Sequence, residues 1–257
     1  MTNASRYTLN RLLAALPAED YGRISPLLSV EPLKPHQVLQ KRGEPLREIF
    51  FPSQSLTSLV LTTTEGATAE IAVVGAEGIV GIEAVLGLGA AMCDATVQVV
   101  GDGVAHAMNV DVFRMELERG GALHDLIGKY AQAFVRLLTQ SVACNALHAV
   151  EARCCRWLLH AEDRLGDGEF PVTHELLSAM LGVRRPTITL VMSALAQIGA
   201  ISASRGAIRI VDRDALEARA CGCYRIVRTF FDELLPTDAK RSTEYGDAWQ
   251  PPVVFAS

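Results

Sequence analysis

The sequence predicts an α+β chain: an N-terminal double-stranded β-helix or jelly-roll domain, a long dimerisation helix, and a C-terminal winged helix-turn-helix. Three observations carry this. Between about Val38 and Phe113, β-branched and aromatic runs alternate with glycine-bearing turns. From Ile127 onward, apolar residues recur at alternating spacings of three and four. Between Thr173 and Val211, two amphipathic segments flank Leu181-Gly182-Val183 and are followed by two short apolar strands.

The chain of 257 residues is long enough for two domains, each with its own core. It opens on helical spacing: Leu9, Leu12, Leu13 and Leu16, then Tyr21, Ile24, Leu27 and Leu28. Ser25-Pro26 interrupts that pattern, and Pro32 and Pro35 end it. Strands are expected at 49–52, 56–64, 68–74, 95–100 and 104–108. Turns are expected at 42–44, 65–66, 75–78 and 101–103, each marked by glycine. Short strands at that spacing, with no long helix between them, favour an antiparallel sandwich or jelly roll. This domain is assigned to 1–113.

Residues 114–165 are assigned to the long helix and its hinge. Ile127, Tyr130, Phe134, Leu137, Ser141, Cys144 and His148 form an a/d stripe, and no helix breaker stands between Lys129 and Leu165. Such a stripe packs either on the chain's own roll or on a second copy. Seven consecutive positions exceed what one side of a roll requires, so the seam of a homodimer is the expected reading. Gly166 to Gly168 give a hinge into the last domain, 166–235, and the aperiodic residues 236–257 are expected to be a mobile tail.

Thr173 is the expected N-cap of the first helix of the motif, whose buried face is Leu176, Leu177 and Met180. Gly182 allows the left-handed turn, and the second helix is expected to begin near Arg184 with Pro186 in its first turn. Ile188, Val191, Met192, Leu195 and Ile198 are its buried face, and Gly199 ends it. Two strands about the turn at 204–206 make a wing. A major groove admits one helix, whose N-terminal turn reaches the base edges. Arg184, Arg185, Thr187 and Thr189 are therefore the candidate DNA-reading residues, with Thr173 and, at the wing tip, Arg205 placed for the phosphate backbone.

The net charge is −5, yet residues 173–211 hold four arginines and one acid, 4 − 1 = +3. A basic module in an acidic chain is compatible with phosphate contact. There is no apolar run long enough for a membrane span and no secretory signal pattern, so a cytoplasmic location without membrane partners is expected. No phosphate-binding glycine loop, His-Glu-x-x-His or Gly-x-Ser-x-Gly is present, and no enzyme is expected. The six cysteines are read as free thiols. Cys154 and Cys155 diverge by about 100° on a helix, and Cys221-x-Cys223 is a weak metal or redox candidate but only half a ligand set, so no metal site is assigned. Cys144, on the stripe, is a candidate for an intersubunit disulfide, more ordinarily a small buried apolar residue.

The stretches IFFPSQSLTSLV, GAEGIVGIEAVLG, QSVACNALHAVEARCCRWLL, LGVRRPTITL and SRGAIRIVDRDALE resemble the CRP/FNR family of bacterial regulators, as does Cys221-Gly222-Cys223-Tyr224. The resemblance implies a cyclic-nucleotide-binding-like roll, a homodimer on palindromic double-stranded DNA, and contact with RNA polymerase. Arg185 falls at the family's guanine-reading arginine and Thr187 at a phosphate-contacting threonine. Pro186 stands where a base-reading glutamate is often found, and Leu190 where a second arginine is common. The effector position implied by the resemblance falls on Gly81, Glu83, Cys93 and Asp94. Met92, Cys93 and Asp94 leave no arginine for a cyclic phosphate, which would meet Asp94 unopposed, so the usual cyclic AMP response is not expected. Glu83 is either a displaced ribose ligand or, as the preferred reading, an ordinary exposed turn acid. An iron–sulfur cluster is disfavoured because the first 92 residues hold no cysteine, and His36, His106 and Cys93 are read as structural rather than haem-binding. No cofactor is assigned, and a small-molecule effector stays unidentified. The competing reading is an interaction module of the same fold whose winged helix binds protein rather than DNA.

Overall fold

Asn10 fixes how the chain enters the fold. Its side-chain oxygen accepts the amides of Leu12 and Leu13, capping α1 (Arg11–Ala15). Its amide nitrogen donates to the carbonyls of Pro52 and Gly78 at 3.0 and 2.7 Å, pinning that helix to the β-domain. α2 (Ala18–Ile24) follows directly after Pro17, as the apolar spacing predicts. The computed structural model describes residues 10–235 apart from 167 and 205, and the side chains at 99–102 are not described. Arg205 and the expected tail from 236 lie outside the described residues.

The β-domain is a half-barrel of five antiparallel strands, β1 (Ser29–Pro32), β2 (Val38–Gln40), β3 (Glu48–Thr62), β4 (Thr68–Val74) and β5 (Asp94–Asn109). The order is β1-β5-β3-β4, with β2 also on β5. Two expected breaks are absent. Segments 49–52 and 56–64 belong to the single strand β3, and 95–100 and 104–108 to the single strand β5. Where a turn was expected at 101–103, the register jumps instead: Ser53 faces Val104 and Ser55 faces Val100, with Gln54 at φ 46°. The extra residues are absorbed as a bulge, which bends a long strand without ending it.

Asn109 caps α3 (Val110–Glu118), and α4 (Ala122–Leu147) follows. The uninterrupted helix expected through Leu165 does not form; it divides in two. The chain leaves helical geometry at His148 (ψ 143°) and Ala149 (ψ 151°) before α5 (Val150–Leu165) begins. No glycine or proline causes this break; the two helices serve different cores. One core unites the roll with α1, α3 and α4. The other holds α5 through Trp157, Leu158 and Leu159 against the helix-turn-helix.

The stripe expected to be a dimer seam faces inward. Ile127, Tyr130, Phe134, Leu137, Ser141 and Cys144 are each at most 8% exposed within the single chain. Tyr130 reaches the Ile79 carbonyl, and Ile127, Tyr130, Phe134 and Leu137 are part of the roll's own core. His148 is exposed, at the break. The six positions from Ile127 to Cys144 are thus covered without a second copy. The opposite face of α4 leaves Val135 54% and Val142 71% exposed.

The second core comprises α5, β6 (Glu169–Pro171), α6 (His174–Leu181), α7 (Arg185–Gln197), β7 (Ile201–Ser204), β8 (Ala207–Ile210) and α8 (Arg213–Arg219). The wing has three strands, ordered β6-β8-β7, where two were expected. The last helix, α9 (Cys223–Leu234), leaves this domain. Val227 and Phe231 pack into the first core, with the Phe231 ring 6.4 Å from that of Tyr130. No helix among the described residues is long and apolar enough to cross a membrane.

The two cores meet where β3 packs on α5 and β4 on α6. Trp157 Nε1 donates to Glu70 Oε1 at 2.9 Å, and the Ser58 hydroxyl donates to the other carboxylate oxygen. Burial pushes the Glu70 carboxyl up to about 7, against the pull of these hydrogen bonds and of Arg156 and Arg164. A raised carboxyl favours the folded state below its ordinary value near 4.5, and that contribution is lost as pH rises through about 7. We expect the stability difference between the wild type and Glu70→Gln, read by urea unfolding, to shift toward the variant across that window. A difference independent of pH from about 4.5 to 7.5 would contradict a raised Glu70.

Candidate nucleic-acid interface

The helix-turn-helix forms as its residues dictate. The Thr173 hydroxyl accepts the Leu176 amide at 3.1 Å, capping α6. Gly182 takes the left-handed conformation (φ 63°) and turns the chain into α7, which starts at Arg185 with Pro186 in its first turn. Ile188, Met192 and Leu195 are buried, Val191 is half-buried, and Gly199 (φ 75°) closes the helix. Ile198, expected inside, is exposed at the C-terminal end.

Arg184, Arg185, Pro186, Thr189, Leu190, Ser193 and Gln197 are on the open side of α7, with Thr187 half-buried. Arg184 and Arg185 lead into the helix N-terminus, where unpaired amides and the helix dipole favour anions. Arg185 Nε lies 3.6 Å from Glu175 Oε2 on α6, both side chains largely exposed, so the contact is weak and exchangeable. Thr189 donates to the Arg185 carbonyl and pairs with His174 Nδ1 at 3.1 Å, tying α7 to the start of α6. Thr173 and Thr189 are therefore engaged in building the motif as well as exposed. Sequence reasoning missed Glu175 and His174, whose spacing from the second helix could not be read before the turn angle was fixed. An open cleft of about 360 Å³, lined by Thr173, Glu175 and Arg185 on one side and Ser204 and Ala207 on the other, separates the helices from the wing.

The suggested effector position is held by the protein's own contacts. At Gly81 (φ 104°) an added Cβ would stand 2.6 Å from Ile49 Cδ1, so the turn requires glycine. Glu83 is not the exposed turn acid expected; it is 3% exposed and its carboxylate accepts the Met92 amide at 3.0 Å. Asp94 accepts the Arg42 amide at 2.8 Å. Cys93 is buried, which pushes its thiol up to about 12. Among the described residues, one group of thiol and imidazole side chains converges closely enough to hold a metal ion: Cys144, His148, Cys221 and Cys223.

Residues 152–219 match the family model of the Crp-like helix-turn-helix domain. The fold is similar to FixK2 from Bradyrhizobium japonicum, at 12% identity and a TM-score of 0.65, covering 76% of this chain and 98% of that one. It is also similar to a putative regulator of the CRP/FNR family from Eubacterium rectale, at 16% identity and a TM-score of 0.62, covering 81% and 96%. A CRP-family regulator from Thermus thermophilus aligns at 19% identity and a TM-score of 0.61, over 74% of this chain and 96% of that one. Among curated protein sequences, none matches significantly.

Proposed function

We propose that this chain, which carries a Crp-like helix-turn-helix domain behind a half-barrel of the CRP/FNR type, is a homodimeric, sequence-specific DNA-binding transcription regulator. The observation that carries the reading is the open face of α7, with Arg184 and Arg185 unburied at its N-terminus beside an open wing cleft. In a major groove Arg185 exchanges Glu175 for the O6 and N7 of a guanine, which a planar guanidinium contacts together. Arg184, Thr173 and Thr187 hold phosphates, and Thr189 positions Arg185 through its carbonyl. Leu190, 73% exposed, offers an apolar contact to a thymine methyl where relatives often present an arginine. The operator is thus expected to differ from theirs. Two copies joined along α4 would present two α7 helices about 34 Å apart, one DNA turn. RNA polymerase is the proposed protein partner on the promoter.

The test is selection of fragmented genomic DNA by the purified full chain, followed by titrations at fixed salt. Arg185→Ala is expected to weaken the selected palindrome by about 5- to 150-fold, about 1–3 kcal/mol, and to relax one base position. Arg184→Ala is expected to lower affinity on all sequences alike and to reduce the salt slope by about one. Equal affinity of the wild type for the palindrome and a scrambled duplex would defeat the reading and favour a winged helix that binds protein.

A further inference from the structure

We propose that Cys144, His148, Cys221 and Cys223 form a Cys₃His site for one zinc ion, which clamps the α4–α5 break to the connection between α8 and α9. The four residues come from two distant places in the chain. Cys144 and His148 stand one turn apart at the end of α4; Cys221 follows Cys144 by 77 residues and Cys223 follows His148 by 75, where the chain turns into α9. All four ligand atoms lie within 4.8 Å of one another.

The distances suit the ion. Cys144 Sγ is 3.5 Å from Cys221 Sγ, and Cys223 Sγ is 3.5 Å from His148 Nδ1. A tetrahedral zinc with Zn–S of about 2.3 Å and Zn–N of about 2.0 Å has ligand atoms about 3.5–3.8 Å apart. Two edges of the tetrahedron are therefore close to their liganded lengths. A disulfide between Cys144 and Cys221 would use two of the four groups and give Cys223 and His148 nothing to do.

The surroundings point the same way. Cys144, Cys221 and Cys223 make a small buried cluster of their own, with Ala152 against it, apart from both main cores. Three thiols and a methyl group bury too little apolar surface to hold a domain joint by themselves. Gln140 Nε2 donates to Cys223 Sγ at 3.0 Å, the kind of outer contact that orients a metal-bound thiolate. Arg153 and Arg156 are nine-tenths buried on α5, each with its Nε unpartnered, and their charges act on the thiols. Three thiolates, a neutral imidazole and Zn²⁺ sum to −1, an anionic unit that buried guanidinium groups would offset. His148 is the one exposed member and gives the ion its way in.

The experiment uses the full chain purified under reducing conditions without chelator. Elemental analysis is expected to find one zinc per chain. Zinc should be lost from the Cys221→Ser/Cys223→Ser double variant and retained in Cys93→Ala, whose thiol is in the roll. Because the double variant can lose its fold with its metal, a second measurement stands apart from it. Reduced wild type stripped of metal and titrated with Co²⁺ should develop the intense visible bands of tetrahedral cobalt thiolate, abolished by one equivalent of Zn²⁺. No zinc in the reduced wild type together with no such bands would overturn the site. So would a Cys144–Cys221 disulfide that persists in the reduced, zinc-supplied protein, or undiminished zinc in the double variant.

Discussion

Val142→Asp is expected to convert the protein from two chains to one in solution and to lower operator affinity by about 100-fold or more, with the fold of each chain intact. Val142 and Val135 are one heptad apart on α4, and both are exposed although they are β-branched and apolar. Leu138 lies between them, half-buried. In a two-fold dimer each such residue meets its own copy or a near neighbour, so one substitution places two carboxylates in a face losing its water. Two half-sites read by one dimer bind about 10²- to 10⁴-fold more tightly than either alone, and a single chain forfeits that gain. Light scattering gives the mass, and fluorescence anisotropy at fixed salt gives the affinity. The contrasting variant is Phe134→Asp. Phe134 belongs to the stripe that points into the roll, so this change should lower the melting temperature instead of splitting a folded dimer. A Val142→Asp protein that stays dimeric and binds normally would remove α4's outer face as the seam.

That pair of variants separates what the sequence displays from what it withholds. A heptad shows that one side of a helix is apolar; it does not show what covers that side. On α4 the strong stripe from Ile127 to Cys144 serves the roll, and the sparser Val135 and Val142 side is left outside. The helix-turn-helix was legible because each of its signals is local: Thr173 as cap, Gly182 as left-handed turn, Pro186 in the first turn, and Gly199 as stop. The break at His148 had no local signal, since it arises from the different cores of α4 and α5. Gly101 and Gly103 were legible as backbone irregularity, but a turn and a bulge draw on the same residues. The thiol cluster was hidden for a further reason. Cys221-x-Cys223 reads as half a ligand set until folding places α4's Cys144 and His148 beside it.

Breaking the ion pair between Glu77 and Arg164 is expected to be the costliest single change to stability. Glu77 is in the turn that follows β4 and Arg164 is in the last turn of α5, so the pair spans the two cores. Arg164 Nε and Nη2 both reach Glu77 Oε1, at 2.8 and 2.7 Å, and each side chain is 7% exposed. Arg164 Nη1 also donates to the His160 carbonyl, and Glu77 accepts the Gly75 amide. The fit is close enough that a Cβ added at Gly75 would stand 2.7 Å from Arg164 Cγ. Both side chains are thus largely withdrawn from water where the roll meets α5, although an open cleft lined by Glu77, Arg164, Arg11 and Asp232 runs beside them. Glu77→Ala leaves the guanidinium buried and unpaired, which costs about 3–5 kcal/mol. For a chain of this size that is a fall of roughly 6–20 °C in melting temperature. The Glu77→Leu/Arg164→Met double variant replaces the pair by apolar groups and should recover much of the loss, because desolvation of the ions is then avoided as well. A double-mutant cycle read by urea unfolding decides the matter. A loss below about 1 kcal/mol for Glu77→Ala, the size found for exposed pairs, would mean that the joint opens readily and water reaches Arg164. A loss in the expected range means that the pair stays desolvated in the folded chain and holds the roll against α5.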